Sequence, residues 1–392
     1  MPFDLNQPLF GVYLHWPYCT RICPYCDFNV YAAKNRDPEP LIKAFLRDIT
    51  HQAQQFGEKR LTSVYFGGGT PSLIPPDKIG TIRSHIFANW ENAGSIEVTL
   101  EANPEDVTLD ALTAWRDAGV NRISLGIQSL NDKDLQFLGR QHSATEAKKA
   151  AELALSVFDN VSLDLIYARP GQSIAQWLNE LSETLALGAP HLSLYELTIK
   201  EKTAFEKQVE RAVFTPLDED AQADLYLETL KVTAAAGLPA YEVSNHARSA
   251  NYQSRHNLTY WLGGDWLGIG PGAAGRVTHK GKRWQTQGTD RPADYIMQSP
   301  REDRTRALVG EKLTSEEDAD ERLIMGLRSI NGVDRAVIEA LRGEPLNIAA
   351  INSFKDSGHL READGRLCLT EEGWLLADFI VSQLSAPPPA FS

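Results

Sequence analysis

The chain is short of cysteine: it has four in 392 residues, too few for a disulfide scaffold, and three of them fall between positions 19 and 26. Long apolar runs are missing. None approaches the roughly 18 residues of a membrane span, so no integral membrane segment is expected. The start, Met1-Pro2-Phe3-Asp4, lacks the basic and apolar stretches of a secretory signal, which points to the cytoplasm. Basic charge is in deficit, with 39 Lys and Arg against 52 Asp and Glu, a net −13 that repels phosphate backbones. With no local basic stripe, no nucleic-acid partner is expected. No Gly-x-Gly-x-x-Gly follows a strand and no glycine loop ends in Gly-Lys-Ser/Thr, so readings as a NAD or nucleoside-triphosphate site are weak.

What is present is a series of β-rich runs alternating with helical patterns. The runs are 11–15, 62–66, 96–100, 122–127, 161–166 and 191–195, each rich in Val, Ile, Leu, Tyr or Phe. Between them, Leu41, Phe45, Leu46 and Ile49 share a helix face, as do Ala147, Ala150, Ala151 and Leu155. Thr108 and Ser143 stand where helix N-caps belong. Six β–α units in series predict an α/β fold with a parallel sheet curved into a partial, open barrel over residues 1–250.

A helix over 218–236 leads to Ala240–Val243 and then to a Gly- and aromatic-rich stretch. Residues 251–305 are expected to wrap the open side, with Gly268–Gly275 read equally as a flexible loop or as tight backbone packing. Residues 306–385 read as a small winged-helix-like α+β domain, starting with a helix whose buried face is Leu323, Ile324, Leu327 and Ile330. An Asp364-Gly365 hairpin turn follows. Residues 311–392 carry 8 basic and 15 acidic side chains, so this domain is read as a packing or protein-contact module rather than a DNA binder. The tail 386–392 is expected to be disordered.

The sharpest signal follows the first strand: Cys19, Cys23 and Cys26 at C-x3-C-x2-C spacing. Three thiolates in one loop can hold three corners of an iron–sulfur cube. A structural zinc site is the competing reading, but it wants four ligands, commonly in two pairs. Cys368, in an apolar strand, reads as a small buried hydrophobe. Working residues of such barrels sit at the C-terminal ends of strands. There the sequence has Gly67-Gly68-Gly69-Thr70-Pro71, Glu101, Gln128 and Thr198, with Asp164 inside the fifth strand and Arg140 expected to open the helix after the fourth. Further on, His256-Asn257-Leu258-Thr259-Tyr260-Trp261 offers an imidazole and two flat rings that could meet a porphyrin. A loop histidine among aromatics is more often a hydrogen-bonded structural residue.

The cysteine spacing, with Tyr25 just before the third cysteine, resembles the radical S-adenosylmethionine (SAM) superfamily. From Gly11 to about Leu384, the chain is similar to the group that holds oxygen-independent coproporphyrinogen III dehydrogenase and its haem-chaperone relatives. The resemblance implies a [4Fe-4S] cluster on Cys19, Cys23 and Cys26, its open iron chelated by SAM. It implies that Gly68, Gly69 and Thr70 meet the methionyl amino group and that Tyr13 and Tyr25 flank the ligand. Glu101, Gln128, Arg140 and Asp164 would share ribose and methionyl contacts, with Thr198 near the adenine. The dehydrogenase carries a fourth cysteine where this chain has Phe28, and a long segment ahead of the cluster for which 18 residues leave no room. The hexapeptide at 256–261 looks like the HNxxYW signature of the chaperones, implying His256 as haem ligand. The expectation is a haem chaperone that passes haem to acceptor haemoproteins, draws on a reductant for its cluster and can form a cluster-dependent homodimer. The alternative is the radical SAM oxidative decarboxylase.

Overall fold

A computed structural model describes residues 9–33, 37–299 and 310–385. Its centre is a sheet of six parallel strands in chain order: β1 Phe10–Trp16, β2 Arg60–Gly68, β3 Glu91–Ala102, β4 Arg122–Gln128, β5 Val161–Tyr167 and β6 His191–Glu196. Helices cross between them, among them α1 Glu39–Phe56, α2 Pro76–Asn89, α3 Leu109–Asp117, α4 Asp132–Phe137, α5 Ala144–Val157 and α6 Ile174–Ala186. Thr108 caps α3, and Ser143 and Glu146 form a reciprocal capping box on α5.

The strands alternate more sharply than continuous apolar runs would. On one face Val12, Leu14, Val64, Phe66, Leu100, Ile123, Leu125, Leu163 and Leu165 are fully buried in a single core with the helices. Each such burial contributes roughly 1.5–3 kcal/mol. On the other parity stand Tyr13, Ser63, Tyr65, Glu97, Glu101, Arg122, Ser124, Asp164 and Ser193. Period-2 geometry sends these polar residues into the barrel interior. The fold therefore has an apolar shell and a polar lumen.

The sheet continues beyond both ends of the six. Asn245–Ala247 (β7) pairs antiparallel with β6, where only a link through Ala240–Val243 was expected; that link makes isolated bridges instead. Asn251–Thr278 does not simply wrap the open side. It supplies a short helix, α7 Arg255–Trp261, then β8 Asp265–Ile269, which lies parallel to β1 at the sheet's other edge. Ala274–His279, Lys282–Gln287 and Gly310–Lys312 extend that edge antiparallel. Gly268–Gly275 is accordingly not a loose loop. A Cβ on Gly268 would stand 2.4 Å from the Ala274 carbonyl oxygen, so close backbone packing demands glycine there.

The C-terminal unit has its own core, which includes Ala319, Leu323, Leu327, Leu360, Leu367, Ile380 and Leu384. The helix Ser315–Leu327 buries Ala319, Leu323, Gly326 and Leu327, whereas Ile324 and Ile330 are exposed. Ile324 is one residue, about 100° of helix turn, off the stripe, and Ile330 lies past the helix end. The hairpin Leu360–Ala363 and Arg366–Leu369 turns on Asp364 and Gly365, both at positive φ as a two-residue hairpin turn requires. The tail 386–392 lies outside the described residues, as do residues 300–305 of the expected wrapping segment.

Candidate functional site

The three cysteines sit on a loop clamped at both ends. Tyr18–Cys19 pairs in parallel with Tyr31–Ala32, Ala33 N–H donates to the Cys19 carbonyl at 2.9 Å, and Cys26 N–H turns back to the Cys23 carbonyl at 3.1 Å. Beneath the loop lies the triple glycine at the end of β2. A Cβ on Gly69 would stand 2.9 Å from Cys19 Sγ and 2.7 Å from the Tyr18 carbonyl oxygen. One on Gly67 would stand 2.9 Å from the Tyr13 and Tyr65 rings. These glycines are a seat for the cysteine loop and two tyrosines, in addition to leaving backbone open to a ligand.

Loop and strand ends enclose one cavity of about 430 Å³. Its lining includes Cys19, Cys23, Cys26, Tyr25, Gly68, Gly69, Thr70, Glu101, Gln128, Arg140, Asp164 and Thr198, so twelve of the fourteen expected residues share a single wall. Gln128 ends β4 at φ +61° beyond a register shift, a strained, bulged strand end of the kind that re-aims a side chain. Arg140 does not open a helix. It lies between α4 and α5, where its guanidinium donates to Asn103 Oδ1 at 2.6 Å and the Gly126 carbonyl at 3.1 Å, and approaches Cys23 Sγ at 3.6 Å.

Two expected residues stand elsewhere. Tyr13 is not on the cavity wall; its ring packs 6.1 Å from that of Tyr65, and its hydroxyl bonds His15 Nδ1 at 3.0 Å. His256, on α7, is 1% exposed, with Nδ1 2.9 Å from Ser63 Oγ and Nε2 2.6 Å from the Tyr260 hydroxyl. Burial pushes its pKa down to about 3. Both ring nitrogens are engaged, so this geometry does not present His256 as an axial haem ligand. Asp164 lines the cavity but already accepts from Ser124 and Ser162, each at 2.8 Å.

Sequence reasoning missed Tyr65, Asn103, Arg122 and Asn257, which also line the cavity. Asn103, two residues past Glu101 on the same strand parity, was the one with a readable signal. Glu101 binds its surroundings through both oxygens: Tyr65 donates to Oε1 at 2.8 Å and Gly68 N–H to Oε2 at 3.1 Å. Burial outweighs these bonds and raises its pKa to about 7.

The donor set fits an iron–sulfur cluster. All three thiols are free and share the cavity, and burial raises Cys19 to about 11 and lifts Cys26 as well. Protein charges alone therefore do not hold Cys19 and Cys26 as thiolates; a bound metal group would. Among the described residues no three His, Cys, Asp or Glu side chains converge tightly enough for a single ion. Sulfurs spread around a common space suit a multi-iron cube better than zinc. Cys368 is buried on the hairpin strand Arg366–Leu369 of the C-terminal unit, apart from this loop.

A parallel α/β barrel with a three-cysteine loop at its mouth defines a radical SAM protein, and residues 13–182 match the Radical SAM superfamily. Residues 313–376 match the HemN C-terminal domain. The chain is 34% identical to radical S-adenosyl methionine domain-containing protein 1, mitochondrial, of Dictyostelium discoideum over 95% of this chain and 94% of that one. It is 38% identical to heme chaperone HemW of Escherichia coli over 74% of this chain and 77% of that one. Its fold matches the solved structure of Escherichia coli coproporphyrinogen III oxidase (HemN) with a TM-score of 0.78 at 20% identity, covering 97% of this chain and 91% of that one. The chain belongs to the HemW-like family of radical SAM proteins.

Proposed function

We propose that this protein is a cytoplasmic haem chaperone that carries a [4Fe-4S] cluster and SAM and passes haem to acceptor haemoproteins. Cys19, Cys23 and Cys26 would hold the cluster. Gly68, Gly69, Thr70, Glu101, Gln128 and Arg140 would hold the zwitterionic nucleoside, with Tyr25 and Thr198 at its base end. When bound, the reduced cluster supplies an electron able to cleave the SAM sulfonium. The residues themselves orient the ligand, and the Arg140 guanidinium approaches Cys23 Sγ at 3.6 Å.

The observation that carries the chaperone reading is Phe28. It stands where the dehydrogenase of the same group has its fourth cysteine, and it is 60% exposed on the cavity rim with Ile22 at 47%. Arg21 and Lys200 share that rim. An apolar ledge with cations beside it suits a flat, dianionic porphyrin. The likeness of relatives called heme chaperones supports the same reading.

The test is haem titration of the anaerobically reconstituted protein beside a porphyrinogen turnover assay. Stoichiometric haem binding and transfer to an apo-haemoprotein, without turnover, is expected. Conversion of coproporphyrinogen to protoporphyrinogen with release of methionine and deoxyadenosine would replace the chaperone reading by that of a decarboxylase. Gel filtration with and without cluster tests the proposed homodimer, and reduction by a flavodoxin-type donor tests the need for a reductant.

A further inference from the structure

The pair His256-Asn257 at the start of α7 divides its labour in an unexpected way. His256 lies inward against β1 and β2, in a seat made for it: a Cβ on Gly11 would stand 2.9 Å from His256 Nδ1 and from Ser63 Oγ. Its backbone N–H donates to Glu97 Oε1 at 3.2 Å. Its ring stacks on Tyr65, centroids 5.1 Å apart and planes 26° apart, and meets the Tyr260 ring edge-on at 4.9 Å. Tyr65 in turn holds Glu101 by its hydroxyl, and Glu101 holds the Gly68 N–H. A continuous contact path thus runs from α7 to the triple glycine under the cysteine loop. Asn257, the next residue, lines the same cavity as Tyr65, Arg122 and Glu101. Its backbone N–H is spent on the Ser254 cap at 3.3 Å, which leaves the side-chain amide as the group it offers to the cavity.

We propose that both residues serve the nucleoside cavity: His256 as a positioning residue that fixes Tyr65 and, through it, Glu101, and Asn257 as the member of the pair that touches the bound ligand. This rests on the reading that the cavity takes SAM. A rigid stacked ring holds the Tyr65 hydroxyl in one place, and a fixed Tyr65 keeps both Glu101 oxygens aimed. An amide on the wall supplies a donor and an acceptor to a ribose or an amino-acid head. Ligation of haem by His256 would break one of its two ring hydrogen bonds; service to the SAM pocket breaks none.

The experiment measures SAM affinity by calorimetry on cluster-reconstituted wild type, Asn257→Ala, Tyr65→Phe and His256→Gln, with haem titrations on the same preparations. Each variant is expected to bind SAM at least fivefold more weakly at unchanged iron content. His256→Gln is expected to bind haem with the wild-type Soret and low-temperature EPR signatures. Tyr65→Phe removes a single hydroxyl and keeps the test alive should the histidine variant fail to fold. SAM affinities within twofold of wild type for Asn257→Ala and Tyr65→Phe would overturn the proposal, as would loss of a histidine-ligated haem spectrum in His256→Gln. Absence of SAM binding by the wild type is a different result, which removes the cavity reading itself.

Discussion

Arg140 places its guanidinium 3.6 Å from Cys23 Sγ while the same group is held by Asn103 Oδ1 at 2.6 Å. Its buried Nε has no partner among the described residues. One cation therefore spans the cluster loop and the strand-end polar set, and α5 is not needed to present it. Arg140→Gln should retain iron and sulfide but weaken SAM about tenfold, since hydrogen bonds to charged groups contribute roughly 1.5–3 kcal/mol. It should also move the g-values of the reduced cluster. Calorimetry and EPR check both, and an unchanged spectrum would deny the contact with Cys23.

The triple glycine sets up a second test. With a Cβ at residue 69 only 2.9 Å from Cys19 Sγ and 2.7 Å from a backbone oxygen, Gly69→Ala must push the loop outward. Secondary structure by circular dichroism should survive, because the apolar shell of β2 is untouched. Iron content after reconstitution should fall to less than half. Cys19→Ser, Cys23→Ser or Cys26→Ser should lose the cluster, whereas Cys368→Ser, on a buried hairpin strand of the C-terminal unit, should keep it. Cluster loss in that last variant would redraw the ligand set.

How much of this was legible is clearest at the strand ends. Glycine, Glu101 and Gln128 could be read there because a run of apolar residues stops abruptly, and a parallel strand must hand over to a loop at that point. The polar lumen was legible in principle, since Ser63, Tyr65, Arg122, Ser124 and Asp164 alternate with Val64, Ile123 and Leu163. The six runs nevertheless read as simply apolar, because the buried polar residues have their partners on other strands, out of reach of any local window. β7 and β8 escaped for a related reason: three and five residues carry too little pattern, and what recruits them is the exposed edge of β6 or β1. His256 shows the limit most plainly. A histidine among aromatics has the same sequence whether it meets iron or a serine, and only Gly11 and Ser63, some two hundred residues away, distinguish the two.

Glu242 joins the barrel to the C-terminal unit. It is fully buried, pairs by a β-bridge with Ser329 and accepts hydrogen bonds from Ser244 N–H and the Asn245 amide. Burial outweighs those bonds and raises its pKa to about 7. A carboxyl whose folded pKa lies above its unfolded value binds more protons in the folded state, so its contribution favours folding at low pH. That contribution is lost as pH rises from about 4.5 through 7. Over the window it amounts to about 3 kcal/mol. Glu242→Gln should flatten the fall in urea-unfolding stability between pH 5 and 8, read from the transition of the C-terminal unit. An equally steep fall in the variant would remove Glu242 as its source.

A charge cluster supports the same junction on the other side. Arg283 is almost wholly buried and lies 3.1 Å from Asp265 Oδ1 and 3.4 Å from Asp318 Oδ1, linking the extended sheet edge to the first helix of the C-terminal unit. Asp265 also takes Lys59 at 2.7 Å. Removing one partner of a buried pair leaves its charge uncompensated, which costs roughly 3–5 kcal/mol, whereas replacing the whole pair by apolar groups can cost little. Asp265→Ala should therefore destabilise by several kcal/mol, because it removes the carboxylate that Lys59 and Arg283 share and leaves Arg283 only its longer approaches to Asp318 and Glu321. Arg283→Met should destabilise less: Asp265 keeps Lys59, and Asp318 keeps Arg322 at 2.7 Å. The order of the two losses in a denaturant titration is the readout. Arg283→Met falling below Asp265→Ala would mean that the arginine acts through its packing over the Trp266 ring, 5.7 Å away, and not through its charge.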